Sequence, residues 1–167
     1  MSNMDEIITE QIPRLRRYAR ALTGERTRAD ELVQDTLERA WGKLHMWRRD
    51  SDMRAWMFSI MHNTFINQIR KNQIATVSMD DEALEVPTRA TQNDFLEMRD
   101  LASAIGKLSY EYREILLLIG LEQMSYEEAA AVLSIPMGTV MSRLSRGRER
   151  LRIILSGESA PVLRRVK

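Results

Sequence analysis

At 167 residues, 44% hydrophobic and 29% charged, the chain has the composition of a soluble globular protein with one ordinary domain or two small ones. It contains no cysteine, which excludes disulfides, thiolate metal sites and a cysteine nucleophile, and agrees with a reducing cytoplasm. The net charge of +1 averages unlike ends: eight Lys/Arg outnumber two Glu between Arg143 and Lys167, while six Asp/Glu outnumber one Arg between Ala75 and Met98.

The abundance of Leu, Ala, Met, Arg and Glu predicts an all-α chain. The start, MSNMDEIITEQIPRLRRYAR, is too charged for a signal peptide, and no apolar run approaches the roughly 20 residues that span a bilayer. A first helix is expected from Asp5 to Leu22, with Ile8, Ile12, Leu15, Ala19 and Leu22 at helical spacing and Gly24 closing it. Pro13 is expected to split off its first turns. Thr27 and Asp30 resemble a capping box opening a second helix that runs to about Leu44, with Ala29, Val33, Leu37, Ala40 and Leu44 inward. His45 to Asp52 reads as a polar loop that leaves Trp47 at least half exposed.

A third helix from about Met53 to Lys71 is apolar on more than one side, so it is expected at the centre of its bundle. One polar strip survives on it: Ser59, Asn63, Asn67 and Arg70, with Lys71 alongside. Trp41 and Trp56 are assigned to the core, and His45 and His62 are isolated, without a metal-ligand set. Periodicity vanishes from Asn72 to about Asn93, an acidic stretch read as a flexible linker. Helical pattern resumes from Asp94 to Leu108 and again from Ser109, a residue able to cap, to Gly120.

The stretch SYEEAAAVLSIPMGTVMSRLSRGRERLR, Ser125 to Arg152, is the most telling. Ser125 and Glu128 form a capping box, and Pro136 ends one helix and suits the opening turn of the next. Val140, Leu144, Gly147 and Leu151 share one stripe of that second helix, while Thr139, Ser142, Arg143, Arg146 and Arg150 share another. An apolar stripe beneath an Arg/Ser/Thr stripe is what a helix lying in the DNA major groove requires. Arg143 and Arg146 are expected near bases or adjacent phosphates, Arg148 and Arg150 on the backbone. A bidentate base contact is worth about 1–3 kcal/mol of discrimination.

From about Ile12 to Arg152 the chain resembles the sigma-70 family of bacterial transcription initiation factors, in particular its small extracytoplasmic-function (ECF) group. ADELVQDTLERAW (Ala29 to Trp41) is similar to the family's polymerase-binding helix, and RAWMFSIMHNTFINQIRK (Arg54 to Lys71) to its promoter-melting and minus-10-reading helix. Tyr112-Arg113-Glu114 with its aliphatic run, and PMGTVMSRLSRGRERL, are similar to the minus-35-reading domain. The chain departs from the family pattern at Asn67, Ser109 and Ser134.

The resemblance implies two small helical domains: domain 2 over residues 1–72, an acidic linker over 73–93, domain 4 over 94–156 and a tail over 157–167. It implies that Gln34, Asp35, Glu38 and Arg39 dock on core RNA polymerase. It also implies that Trp47, Arg48, Arg49, Asn63, Asn67, Arg70 and Lys71 act on minus-10 DNA, where stacking, backbone charge and amides suit a single strand. Thr139, Ser142, Arg143, Arg146, Arg148 and Arg150 are the minus-35 set. Expected partners are core RNA polymerase, promoter DNA and an anti-sigma factor, in a stress response. No metal, cofactor, small-molecule substrate, covalent chemistry or membrane insertion is expected. Elements about 25 base pairs apart lie roughly 85 Å apart on duplex DNA, so the tether is expected to stretch. The rival readings are a stand-alone helix-turn-helix regulator and a helical adaptor for a partner protein.

Overall fold

A computed structural model describes residues 3–75 and 93–157; among them there is helix and turn but no strand. Seven α-helices follow in order: α1 (Asn3–Thr23), α2 (Arg26–Gly42), α3 (Met53–Ala75), α4 (Asn93–Gly106), α5 (Tyr110–Leu116), α6 (Tyr126–Leu133) and α7 (Met137–Ser156). A short 3-10 turn, Leu44–Met46, follows α2, and a π-helical turn, Leu117–Leu121, extends α5. The all-α class read from composition holds.

The front half is α1, α2 and α3. Contrary to expectation, Pro13 does not split α1, which runs unbroken through it. Pro13 is exposed, so the carbonyl one turn back that loses its N–H partner stays close to water. Ile8, Leu15, Tyr18, Ala19 and Leu22 are buried along α1, and Tyr18 meets Phe58 of α3 edge-on with centroids 5.0 Å apart. Helix α2 also opens differently from the reading. Its N-cap is Glu25, which makes no side-chain cap bond, and the Thr27–Asp30 box does not form. The hydroxyl of Thr23 instead bonds to the Ala19 and Glu25 carbonyls at the α1–α2 corner, with Gly24 in the left-handed region.

Helix α3 is central, with Met53, Met57, Phe58, Ile60, Met61, Thr64 and Phe65 buried. Each such large side chain contributes about 1.5–3 kcal/mol by leaving water. The helix continues to Ala75, so the first residues assigned to the linker are helical; residues 76–92 lie outside the described residues, as do 158–167 of the tail. Trp56 is half-buried against the core, whereas Trp41 is not core: it is 43% exposed, and its indole N–H donates to Asp5.

The rear half is α4 to α7. Ser109 stands at the N-cap of α5 but makes no side-chain cap bond. The Ser125–Glu128 capping box is complete in both directions, and Ser134 ends α6 in the left-handed region at φ 54°. Pro136 caps α7. Gly147 sits where α7 crosses α5: a Cβ there would lie 3.4 Å from Leu116 and Tyr112, at the near edge of ordinary van der Waals contact.

The two halves pack on each other. A single hydrophobic cluster runs from Ile8 and Leu15 through Met57 and Phe65 to Ile115, Leu118, Val132 and Val140. Phe65 of α3 and Tyr110 of α5 meet edge-on at 6.2 Å.

Candidate nucleic-acid interface

The helix-turn-helix is α6, the Ser134-Ile135-Pro136 turn and α7. Val140, Leu144 and Gly147 are buried and Leu151 is half-buried, as the stripe predicts. With that side held down, Ser142, Arg146 and Arg150 are exposed on another side and Thr139 is half-buried beside them. Two of the predicted arginines sit differently. Arg148 lies on a separate side of α7, lining a shallow groove with Tyr126, Met141, Ser145 and Arg152. Arg143 is half-buried, and its charge favours the ionised form of Glu114 on α5.

On the front half, Asn63, Asn67, Arg70 and Lys71 are all exposed along α3. Arg48 and Arg49 are exposed in the loop before it. Trp47 is half-buried against the core, with its Nε1 buried and unpartnered among the described residues. On α2, Gln34, Glu38 and Arg39 are exposed, and half-buried Asp35 accepts a 2.8 Å hydrogen bond from Gln68 of α3.

A second class of polar residue escaped the sequence reading and lies between the halves. Glu114, 2% exposed, accepts from or shares a proton with His62 of α3. Burial pushes the Glu114 carboxyl above its usual value, against the opposing pull of His62 and Arg143. His62 was read as isolated; it is paired, though with a single carboxylate, and no cluster able to hold a metal occurs among the described residues. Arg54 of α3 donates to the Glu122 carbonyl at 2.8 Å and to Glu128 at 3.0 Å, and Arg17 of α1 donates to Glu122 at 3.2 Å.

Arg113 reaches four carbonyls, those of Leu22, Ile105, Gly106 and Leu108, and so closes the C-terminal ends of α1 and α4 together. Burial pushes its guanidinium below the usual range. The hydroxyl of Tyr18 is held well above its usual value by burial and by the nearby Glu114 and Glu122 carboxylates. The signal available in the sequence was a charge inside an apolar stripe: Glu114 precedes the run Ile115 to Ile119, and His62 interrupts α3 between Met61 and Phe65.

An all-helical body ending in a helix-turn-helix with an exposed Arg/Ser row defines a DNA-reading protein. Residues 8–62 match the family described as the Sigma2 domain of PhyR, and residues 98–151 match Sigma-70, region 4. The chain is 35% identical over 157 residues to the ECF RNA polymerase sigma factor EcfG of Rhodopseudomonas palustris (strain TIE-1), covering 93% of this chain and 86% of the relative. It is 28% identical over 154 residues to the ECF RNA polymerase sigma factor SigM of Bacillus subtilis (strain 168), covering 90% of this chain and 94% of the relative.

Among solved structures, the sigma factor RpoE in complex with the anti-sigma factor NepR, from Bartonella quintana, superposes with a TM-score of 0.80 at 33% identity, over 95% of this chain and all of that one. CnrH in complex with the cytosolic domain of CnrY gives 0.69 at 30% identity, over 93% of this chain and 89% of that one. The chain belongs to the ECF RNA polymerase sigma factors and is a transcription initiation factor.

Proposed function

We propose that the chain docks on core RNA polymerase through the α2 face of Gln34, Asp35, Glu38 and Arg39. It opens and reads the minus-10 element with Trp47, Arg48, Arg49, Asn63, Asn67, Arg70 and Lys71. It grips the minus-35 element with Thr139, Ser142, Arg143, Arg146 and Arg150. Arg148 belongs to the backbone-contacting margin of the same helix. Domain 2 corresponds to residues 1–72 and domain 4 to 94–156, with 73–93 as the tether and 157–167 as the tail. The chain performs no covalent chemistry: its work is binding and strand separation, carried out in the cytoplasm, where polymerase and chromosome are. No helix among the described residues is long and apolar enough to cross a membrane.

The observation that carries this reading is that three polar rows on three different helices stay exposed while their opposite sides are buried. Exposed amides and guanidinium groups at helical spacing, on a well-packed support, are the chemistry that base edges and phosphates require. Two relatives were solved with anti-sigma factors, NepR and CnrY, and this supports a partner of that kind here.

The test is run-off transcription with purified core polymerase on genomic fragments, with start sites mapped. The expected result is initiation dependent on this protein. In an Arg146→Ala variant, initiation falls by about 5- to 150-fold for the lost base contact, which is 1–3 kcal/mol. Sequence-specific DNA binding without polymerase, and no initiation with it, would overturn the reading in favour of a stand-alone regulator.

A further inference from the structure

Arg17, Arg54 and His62 of the front half and Glu114, Glu122 and Glu128 of the rear form an inner seam, each with its partners within the protein. Helix α7 does the opposite and turns apolar surface to water on the helix that reads DNA. Met141 is 49% exposed, and Met137, one turn earlier, is 38% exposed. Tyr126, the first residue of α6, is exposed too, and it lines one shallow groove with Met141, Ser145 and Arg148.

The packing fixes which way α7 faces. Val140, Leu144 and Gly147 are buried. At about 100° per residue, the opposite side of the helix falls between Ser142 and Glu149. Arg146 and Arg150 lie to one side of that line, Ser145 and Met141 to the other, and all four are exposed. Thr139 and Arg143, by contrast, are half-buried. The surface open to a duplex is therefore basic along one flank and apolar along the other. Met141 stands in the second turn of α7, in the N-terminal half that meets base edges in a helix-turn-helix.

The major groove presents donors and acceptors on every base pair but a single apolar group, the C5-methyl of thymine. A methionine side chain adapts its shape to such a group. It has no donor and only a weak sulfur acceptor, so it gains little from any other base edge. We infer that Met141 reads a thymine of the minus-35 element by packing against its C5-methyl group. This rests on the minus-35 reading of α7 above. Ser142 and Ser145 can bond to several bases, so the methyl contact, not the hydroxyls, fixes this step of the element. Tyr126 and Arg148 supply a hydroxyl and a guanidinium suited to the adjacent phosphates.

The test removes that methyl group and nothing else. Start sites mapped with core polymerase and the full chain give the minus-35 element, and each thymine in it is replaced singly by uracil. The expected result is one position at which uracil lowers initiation by about 4-fold, the worth of one methyl group leaving water. In Met141→Ala the thymine template falls at least that far, and uracil then changes nothing. Met141→Leu, still apolar, keeps the preference for thymine. Circular dichroism checks helix content. Where Met141→Ala loses it, Met141→Gln, of similar length but polar, is read in its place.

An element without thymine, uracil silent at every position, or an unchanged thymine preference in Met141→Ala would overturn the inference. Arg146→Ala separates this from a failure of the reading beneath it. Initiation that falls in Arg146→Ala while uracil stays silent sinks the Met141 contact alone. Initiation unmoved by Arg146→Ala defeats the minus-35 reading of α7 as a whole.

Discussion

The outer rows and the inner seam use the same residue types to opposite ends. Asn63, Asn67 and Arg70 on α3, and Ser142, Arg146 and Arg150 on α7, stand in water. One face round on the same helix α3, Arg54 and His62 turn into the seam and meet carboxylates and carbonyls. An arginine on a solvated face contributes little to folding and is available to a partner; one whose donors are consumed internally holds the body together. A charge on an amphipathic helix therefore reveals its role through what faces it, not through its spacing.

Arg113→Ala should strain this distinction most. It removes donors from four carbonyls at two helix ends and is expected to destabilise the protein by about 3 kcal/mol or more, read as a lowered midpoint in urea unfolding. Arg146→Ala, on the outer row, is expected to change the same midpoint by less than about 0.5 kcal/mol.

Next in size is the His62–Glu114 pair. His62→Ala leaves a buried carboxylate without its partner and should cost about 1–3 kcal/mol at neutral pH. Glu114→Gln should cost less, because the amide carries no charge into the interior.

The pH dependence follows from the raised Glu114 value. Its contribution to stability is fully present below the ordinary carboxylate range and is lost as pH rises through its folded value. Glu128 runs the other way. The Ser125 cap bonds, then Arg54, depress its value, so its contribution is present above the ordinary range and is lost as pH falls through the depressed one. Unfolding midpoints across pH should accordingly flatten just above the ordinary carboxylate range in Glu114→Gln and just below it in Glu128→Gln. Smallest of all, Ser134→Gly relieves a left-handed residue and should stabilise by about 0.4–1 kcal/mol in a thermal melt, with α6 and α7 unchanged.

Local chemistry made much of the fold legible. The Ser125–Glu128 box, Pro136 and the Val140–Leu144–Gly147 stripe lie within a turn or two of each other, and the helices they predict are present. The misreadings were local competitions. Glu25, not Thr27, stands at the α2 start, with Thr23 bonded to its carbonyl, and Pro13 fits within α1 because that side faces water. Trp41, expected in the core, instead reaches Asp5 at the surface through its indole N–H.

At the site, the outer rows could be found because exposure follows helical period. The seam could not, because Arg17 and Glu122 share no local pattern and meet only once both halves have folded. Along the recognition helix, spacing already left Arg148 out of the Thr139–Arg150 stripe, and it lines a groove with Tyr126 and Met141 on a separate side.

The π-helical turn at Leu117–Leu121 carries a consequence for how this protein tolerates change. There the ladder widens: the Glu122 amide bonds to the Leu117 carbonyl five residues back, and Met124 to Leu118 six back. Glu122 leaves the helix at this turn, its carboxylate meeting Arg17 and its carbonyl meeting Arg54. Trimming one position from the turn would pull Glu122 out of register with both partners, its carboxylate from Arg17 and its carbonyl from Arg54, so length here is as constrained as any side chain.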